Sequence, residues 1–297
     1  MKSQKLKGNL LLLLTALIWG TAFVAQSSAM DHIGPFSFMA VRYLLGGLVL
    51  LPIIFIFSKQ KTEDRKTLLL GGLCCGVFLF VASAFQQVGI QYTTTAKGGF
   101  ITALYVIFVP LIGLFFKRRP GWLIWLSVAL SILGFYLLCM NEKLVLQKGD
   151  ALMLCSALCF AGHILVIDYF SPKTDGVKMS CLQFFVCSAL SAVFMLIFEK
   201  PNIYMVAAAG IPILYTGILS SGVGYTLQIV AQKFTDPVVA SLLCSLESVF
   251  AALAGFVCWK LGLISNGGLS LRELFGCILV FSAVILAQLP LPKRKKA

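Results

Sequence analysis

Charge is what this sequence has least of. Asp, Glu, Lys and Arg make up 12% of its 297 residues, against about 25% in an ordinary soluble domain. Acids are the scarcer sign, 11 against 24 Lys and Arg, and there are only two histidines. So few polar side chains cannot cover a water-facing surface, and the 59% apolar content has to face lipid. Also missing is a Gly-rich phosphate loop with its lysine, which argues against ATP-driven pumping by this chain. No His/Asp/Glu set has metal spacing, so no metal or cofactor is expected. No serine–histidine–acid arrangement and no loop resembling a selectivity filter is found. The ten cysteines include no C-x-x-C pair. Nearly all lie in apolar runs, where cysteine is a small packing residue, and Cys155 and Cys159, on one helix face, read the same way.

What is present is a series of apolar runs. Breaking the chain at its charged and turn-rich stretches leaves ten segments, 8–29, 35–57, 67–89, 96–116, 121–140, 149–170, 178–198, 204–232, 237–260 and 270–289. Each is close to the roughly 20 residues that a helix needs to cross a bilayer. The first reads as a span and not as a signal peptide, because no small-residue cleavage site follows it. Proline at 35 and 237 suits the first turn of a helix, where its missing N–H would be unpaired anyway.

The formal charge of +13 lies in short loops and at both ends, not on one basic face, so nucleic acid is not an expected partner. With the N-terminus taken as inside, seventeen Lys and Arg fall on the inner side, including Lys117–Arg119 and Lys293–Lys296. Six fall outside: Lys97, Lys143, Lys148, Lys200, Lys260 and Arg272. This bias predicts both termini in the cytoplasm and an even number of crossings.

An internal repeat supports ten. A shift of 142 residues aligns Gly20 with Gly162, Gln86 with Gln228, Thr93 with Thr235, Leu104 with Leu246 and Gly134 with Gly276, and a shift of 141 pairs Arg42 with Gln183. Residues 1–142 and 143–297 thus read as two halves of five spans each. An odd number of spans forces the halves to enter the membrane from opposite sides. The expected fold is an all-α integral membrane protein with ten transmembrane helices in two inverted five-helix repeats, an architecture of secondary transporters.

Polar side chains inside spans need a partner or an aqueous cavity. In segment 9, Cys244, Glu247, Ser248 and Ala251 share a helical face, with Glu247 near mid-membrane. A carboxyl group at that depth is either neutral or paired with a cation, which makes Glu247 a candidate for proton or cation coupling. Segment 8 carries Ser221, Gly224, Tyr225, Gln228 and Gln232 on one stripe, and segment 3 carries Ser83, Gln86 and Gln87. Amides both donate and accept, which suits a zwitterionic or amide-bearing solute and equally suits glue between helices. Arg42, about two turns into segment 2, either snorkels to the surface or attracts an anionic group. Trp19 shares a face with Thr15, and His163 with Cys159. The residues expected to line a central cavity are Trp19, Gln86, Tyr105, His163, Tyr225, Gln228 and Glu247, set on helices 1, 3, 4, 6, 8 and 9.

The chain resembles the drug/metabolite transporter superfamily, in its ten-helix EamA branch. The resemblance rests on Leu17–Phe23, Phe38–Tyr43, Ala96–Pro110 and, most specifically, Ala240–Ala252. Where that family usually has proline after the glutamate, Ser248 stands here, and Trp259-Lys260-Leu261-Gly262 replaces its frequent Gly-Glu. The resemblance implies a carrier of the bacterial cytoplasmic (inner) membrane, often an exporter of amino acids or related metabolites. The expected activity is transport of a small polar or amphipathic metabolite by alternating access, with protons as a candidate coupling ion and a monomer or homodimer as the assembly. The alternative is a membrane-embedded enzyme acting on a lipid-linked or small polar substrate.

Overall fold

The computed structural model describes residues 2–57, 64–93, 95–139, 148–260 and 269–289. All ten apolar segments are helical. Helix 1 is Lys2–Ala29, helix 2 Pro35–Phe57 and helix 3 Arg65–Gly89. Helix 4 comes in two pieces, Thr95–Ala103 and Tyr105–Phe115. Helix 5 is Trp122–Cys139, helix 6 Lys148–Phe170 and helix 7 Gly176–Phe198. Helix 8 runs in several pieces from Ile203 to Gln232, helix 9 is Pro237–Cys244 followed by Glu247–Lys260, and helix 10 is Leu271–Gln288. Among the described residues, nine of these are long and apolar enough to cross a membrane, and helix 5 contributes a shorter apolar stretch, Trp122–Leu138. Lys59, Lys61, Lys143, the Lys293–Lys296 cluster and the proposed division at 142 lie outside the described residues.

Helix starts follow local chemistry. Asp64, Asp175 and Asp236 each accept a backbone N–H from the first turn, and Ser270 forms a capping box with Glu273. Helix 2 has Gly34 at this position and takes its cap from the other half of the chain. The Glu199 carboxylate, at the end of helix 7, accepts from Phe36 N at 2.7 Å and Ser37 N at 2.8 Å. A Cβ at residue 34 would lie 2.4 Å from Glu199 Cδ, so glycine makes room for the carboxylate. Glu199→Ala should lower thermal stability in detergent by about 1 kcal/mol, as loss of a charged helix cap does. An unchanged melting temperature would refute the cap's contribution.

The contacts repeat under exchange of the two halves. Ser188 Oγ donates to Ala40 O at 2.8 Å, and Cys181 Sγ to Gly47 O at 3.5 Å; a shift of 141 turns one pair into the other. Thr15 and Ser156 donate to Gly224 O at 3.2 Å and Ala82 O at 2.8 Å. Thr235 donates to Asn9 Oδ1 at 3.3 Å, and Thr93 to Asp150 Oδ1 at 2.8 Å. Gly134 and Gly276 face each other across helices 5 and 10: a Cβ on the first would sit 2.8 Å from the carbonyl of the second, and the reverse distance is 2.6 Å. These are the contacts of a two-fold axis, and with five helices in each half that axis lies in the membrane plane. One register differs from the sequence alignment. Helix 6 follows helix 1 by 141 residues, as Thr15/Ser156 and Asn9/Asp150 require, so Gly20 is the counterpart of Ala161 and not of Gly162. Two small residues one position apart made the wrong pairing attractive.

Helices 4 and 9 break at equivalent points. Leu104 N bonds Ile101 O and Leu246 N bonds Leu243 O, both one residue short of an α-helical bond. Ser241 and Ser245 hydroxyls bond carbonyls three residues back in helix 9, which bends a helix. Helix 8 departs further, with a π-helical stretch at Tyr215–Tyr225. The segments read from hydropathy as continuous helices 4, 8 and 9 are therefore interrupted, and the 3.6-residue stripes read across them hold only piecewise.

A polar cavity on the two-fold axis

Residues at the interruptions meet around one cavity. Tyr105 opens the second piece of helix 4 and Glu247 the second piece of helix 9, 142 residues later. The phenol donates to Glu247 Oε1 at 3.4 Å across the axis. Gly20 lets helix 1 approach the helix 9 break, since a Cβ there would lie 2.5 Å from Glu247 O. Helix 1 also holds the π-helical stretch: Trp19 Nε1 donates to Ser220 O at 3.2 Å, beside the Thr15–Gly224 bond. A Cβ on Gly224 would be 2.7 Å from the Trp19 nitrogen, so glycine permits this crossing. Discontinuous helices whose broken ends face a shared site recur in transporters, because backbone groups freed at the break, and the half-helix dipoles, become available to a solute.

The centre of a water molecule can occupy only about 40 Å³ of the cavity. It has room for only a few waters. Trp19, Gln86, Tyr105, His163, Tyr225, Gln228 and Glu247 all line it, and so does Arg42. Several pairs are two-fold mates, such as Gln86 with Gln228 and Tyr105 with Glu247, which places the cavity on the axis. Helices 1, 3, 4, 6, 8 and 9 contribute to the wall, as does helix 2 through Arg42.

Arg42 is 2% exposed and does not snorkel. Its Nη1 donates to Gln26 Oε1 at 2.7 Å and its Nη2 to Tyr43 Oη at 2.6 Å, while Gln87 Nε2 reaches the same Gln26 oxygen at 2.6 Å. The guanidinium also sits 4.5 Å from the centroid of the Tyr43 ring. Its Nε has no partner. Glu247, 6% exposed, supplies the carboxyl group. Among the described residues no acidic side chain pairs with Arg42 and no basic one with Glu247. Further orphaned polar atoms at the wall are Thr102 Oγ1 and Gln228 Oε1.

Tyr225 is the aromatic hub of the site. Its ring lies 4.6 Å from Trp19, 5.9 Å from His163 and 6.5 Å from Tyr43, centroid to centroid. His163 Nε2 faces Gln183 Oε1 at 3.0 Å, so the repeat mates Arg42 and Gln183 both anchor polar contacts at the site. His163 and Cys159 part company, with His163 1% exposed inside the bundle and Cys159 on the outer face. Cys155 is exposed, whereas Cys159 is half-buried against the core, so only Cys159 packs inward as the apolar run suggested. Sequence reasoning passed over Gln26, Phe23, Thr102 and Phe160. Gln26 had a legible signal, since Trp19, Phe23 and Gln26 fall at i, i+4 and i+7 on helix 1. The partners Gln87 and Tyr43 had none, because only the fold brings helices 1, 2 and 3 together at that level. Among the described residues no three His, Cys, Asp or Glu side chains converge as a metal site would need.

Two related halves, broken helices and a buried polar cavity on their shared axis define a membrane transporter of the inverted-repeat class. The chain belongs to the EamA-like transporter family, whose model matches residues 6–140 and again 147–289. A protein of Archaeoglobus fulgidus named an uncharacterized transporter is 32% identical over 292 residues, covering 96% of this chain and 87% of its own. A Clostridium kluyveri protein with the same name is 25% identical over 263 residues, covering 83% and 84%. The Bacillus subtilis uncharacterized transporter YwfM is 25% identical over 259 residues, covering 80% and 86%. A crystal structure with 17% identity superposes with a TM-score of 0.74 over 95% of this chain and 96% of its own, which speaks to the fold alone. The family and the names of these relatives are those of transporters and not of enzymes.

Proposed function

We propose that this protein is a secondary transporter that exports or exchanges a small zwitterionic metabolite, of the amino-acid kind, by alternating access. The observation that carries the proposal is the presence of Arg42 and Glu247 on one cavity with no ion pair between them. An unpaired charge away from water is costly, and a solute bearing both a carboxylate and an ammonium group would satisfy the two walls at once. The carboxylate goes to Arg42 and its free Nε, the ammonium group to Glu247, and the apolar part of the solute to the Trp19–Tyr225 face. The small free volume corresponds to an occluded state, which must swell as one half rocks against the other. The halves divide near residue 142, the protein works as a monomer or homodimer in a bacterial inner membrane, and both termini face the cytoplasm.

Counterflow in proteoliposomes tests this reading. Vesicles preloaded with an unlabelled amino-acid mixture should accumulate labelled amino acid, whereas vesicles preloaded with neutral sugars should not. If no zwitterion exchanges and a neutral or purely cationic solute does, the assignment is wrong. Glu247 has a second role in the proposal, as the group that exchanges a proton for the ammonium group. Glu247→Gln should leave exchange measurable but remove its dependence on an imposed pH gradient. Unchanged pH dependence in that variant would remove Glu247 from coupling.

A further inference from the structure

A hollow larger than the central cavity is a groove on the outer face. Helices 3, 4 and 6 line it through Phe78, Ile112, Phe116, Leu158 and Val166, and its apolar walls leave about 700 Å³ for water centres, against about 40 Å³ in the central cavity. Gly162 forms its floor, where a Cβ would come 2.4 Å from the Phe78 ring. This is the membrane-facing side of helix 6; the opposite side, through Phe160 and His163, faces the central cavity. Water in an apolar groove at this depth would have no partners, so an acyl chain is the natural filling.

The mouth of the groove distinguishes it from ordinary lipid-facing surface. Arg118 lines it, between Lys117 and Arg119 in sequence, and Lys173 holds its ammonium 3.1 Å from the centroid of the exposed Tyr169 ring, which also lines the groove. Arg118 pairs with Asp168 at 2.5 Å, and Asp236 lies in the adjoining cavity beside Arg119. Arg118 is thus neutralised by Asp168, while among the described residues Lys117, Arg119 and Lys173 have no acidic partner. We infer that this groove is a binding site for one anionic phospholipid from the leaflet on the N-terminal side, with an acyl chain between helices 3, 4 and 6 and the phosphate among Arg119, Lys173 and the outer edge of Arg118. Basic residues over an intramembrane groove attract anionic head groups where basic residues over a flat surface give only a diffuse atmosphere. The site straddles the two halves, since Arg118 belongs to the first and Asp168, Tyr169 and Lys173 to the second.

Native mass spectrometry of the purified full chain can decide it, using detergent micelles containing equal amounts of phosphatidylglycerol and phosphatidylcholine with identical chains. The wild-type protein should retain a single phosphatidylglycerol with a preference of about tenfold. The double variant Arg119→Gln/Lys173→Gln, which spares the Arg118–Asp168 pair, should lose most of that preference. Val166→Trp fills the groove without touching a charge and should release the lipid whichever head group it bears; Leu158→Trp, on a more exposed part of the wall, serves the same purpose should Val166→Trp not fold. Equal retention of the two lipids by the wild type, an undiminished preference in the double variant, or lipid still held by the filled groove would each overturn the assignment.

Discussion

Arg42→Gln is expected to weaken binding of a carboxylate-bearing substrate about a hundredfold while leaving the protein folded. Glutamine keeps hydrogen-bonding capacity toward Gln26 and Tyr43, so the network loses its charge but not every polar contact. Removing one partner of a buried charge pair costs about 3 kcal/mol, a factor of about 100 in Kd. Titration calorimetry or substrate-induced thermal stabilisation in detergent would measure it. Without substrate the expected melting temperature is no lower than that of the wild type, because relieving an unpaired buried cation offsets the lost contacts. Arg42→Lys should recover only part of the affinity, since a single ammonium cannot hold Gln26, the Tyr43 hydroxyl and a carboxylate in one plane as the guanidinium fork does. Wild-type affinity in Arg42→Gln would show that Arg42 is structural and would remove the basis for a carboxylate-bearing substrate.

The largest stability effect should come from Gly134 and Gly276. Helices 5 and 10 cross there backbone to backbone, with Gly134 also 2.7 Å from Val280 Cγ2 and Gly276 2.8 Å from Leu138 N as measured from a built Cβ. Neither helix can rotate the obstruction away, because the atoms in the path include main chain. Gly134→Leu and Gly276→Leu should each destabilise by about 3 kcal/mol or fail to fold, as overpacking against backbone does. Gly99→Leu is the control: nothing lies within 4 Å of a Cβ at that position, and the better helix propensity of leucine should leave stability equal or slightly higher. Thermal unfolding monitored in detergent would compare the three. Equal behaviour of Gly134→Leu and Gly99→Leu would mean that helices 5 and 10 are not in contact at this point.

The functional consequence of that crossing follows from its place on the axis. Pairs such as Gly134–Gly276, and the matched Ser188–Ala40 and Cys181–Gly47 bonds, tie one half to the other. A carrier that rocks needs tight contacts about which to turn and a loose region that opens. The glycine crossings suit the first role. The polar cavity, with unpartnered atoms on Arg42, Thr102 and Gln228, suits the second.

How much of this was legible in advance varies with the range of the interaction. Ten helices could be counted because hydropathy, charge and turn residues are local, and lipid punishes every polar interruption. The two-fold relation was legible because repeated residues such as Gln86/Gln228 and Leu104/Leu246 survive in the chain. Seven of the polar and aromatic residues that meet at the cavity could be named because polar side chains inside spans are few, while Arg42 was left between the surface and an anionic group. Gln26 was missed although it shared Trp19's face, since a single glutamine three residues from the end of a span looks interfacial. The offset of helix 6 from helix 1 was read one residue long, since glycine and alanine on adjacent positions are interchangeable to the eye but not to Thr15 and Ser156.

By itself, then, the sequence determined that this chain lives in lipid, that it crosses ten times, and that its halves are inverted copies, because each of these follows from the periodicity and partitioning of side chains along the chain. Only the tertiary structure decided that helices 4, 8 and 9 are interrupted, that Arg42 turns inward to Gln26 and Tyr43, and that Tyr105 faces Glu247. Those outcomes depend on which backbone groups neighbouring helices can reach. Trp19 and Thr15 claim carbonyls of helix 8, and Gly20 admits helix 1 to the helix 9 break. Such competition between distant segments leaves no mark in any one of them.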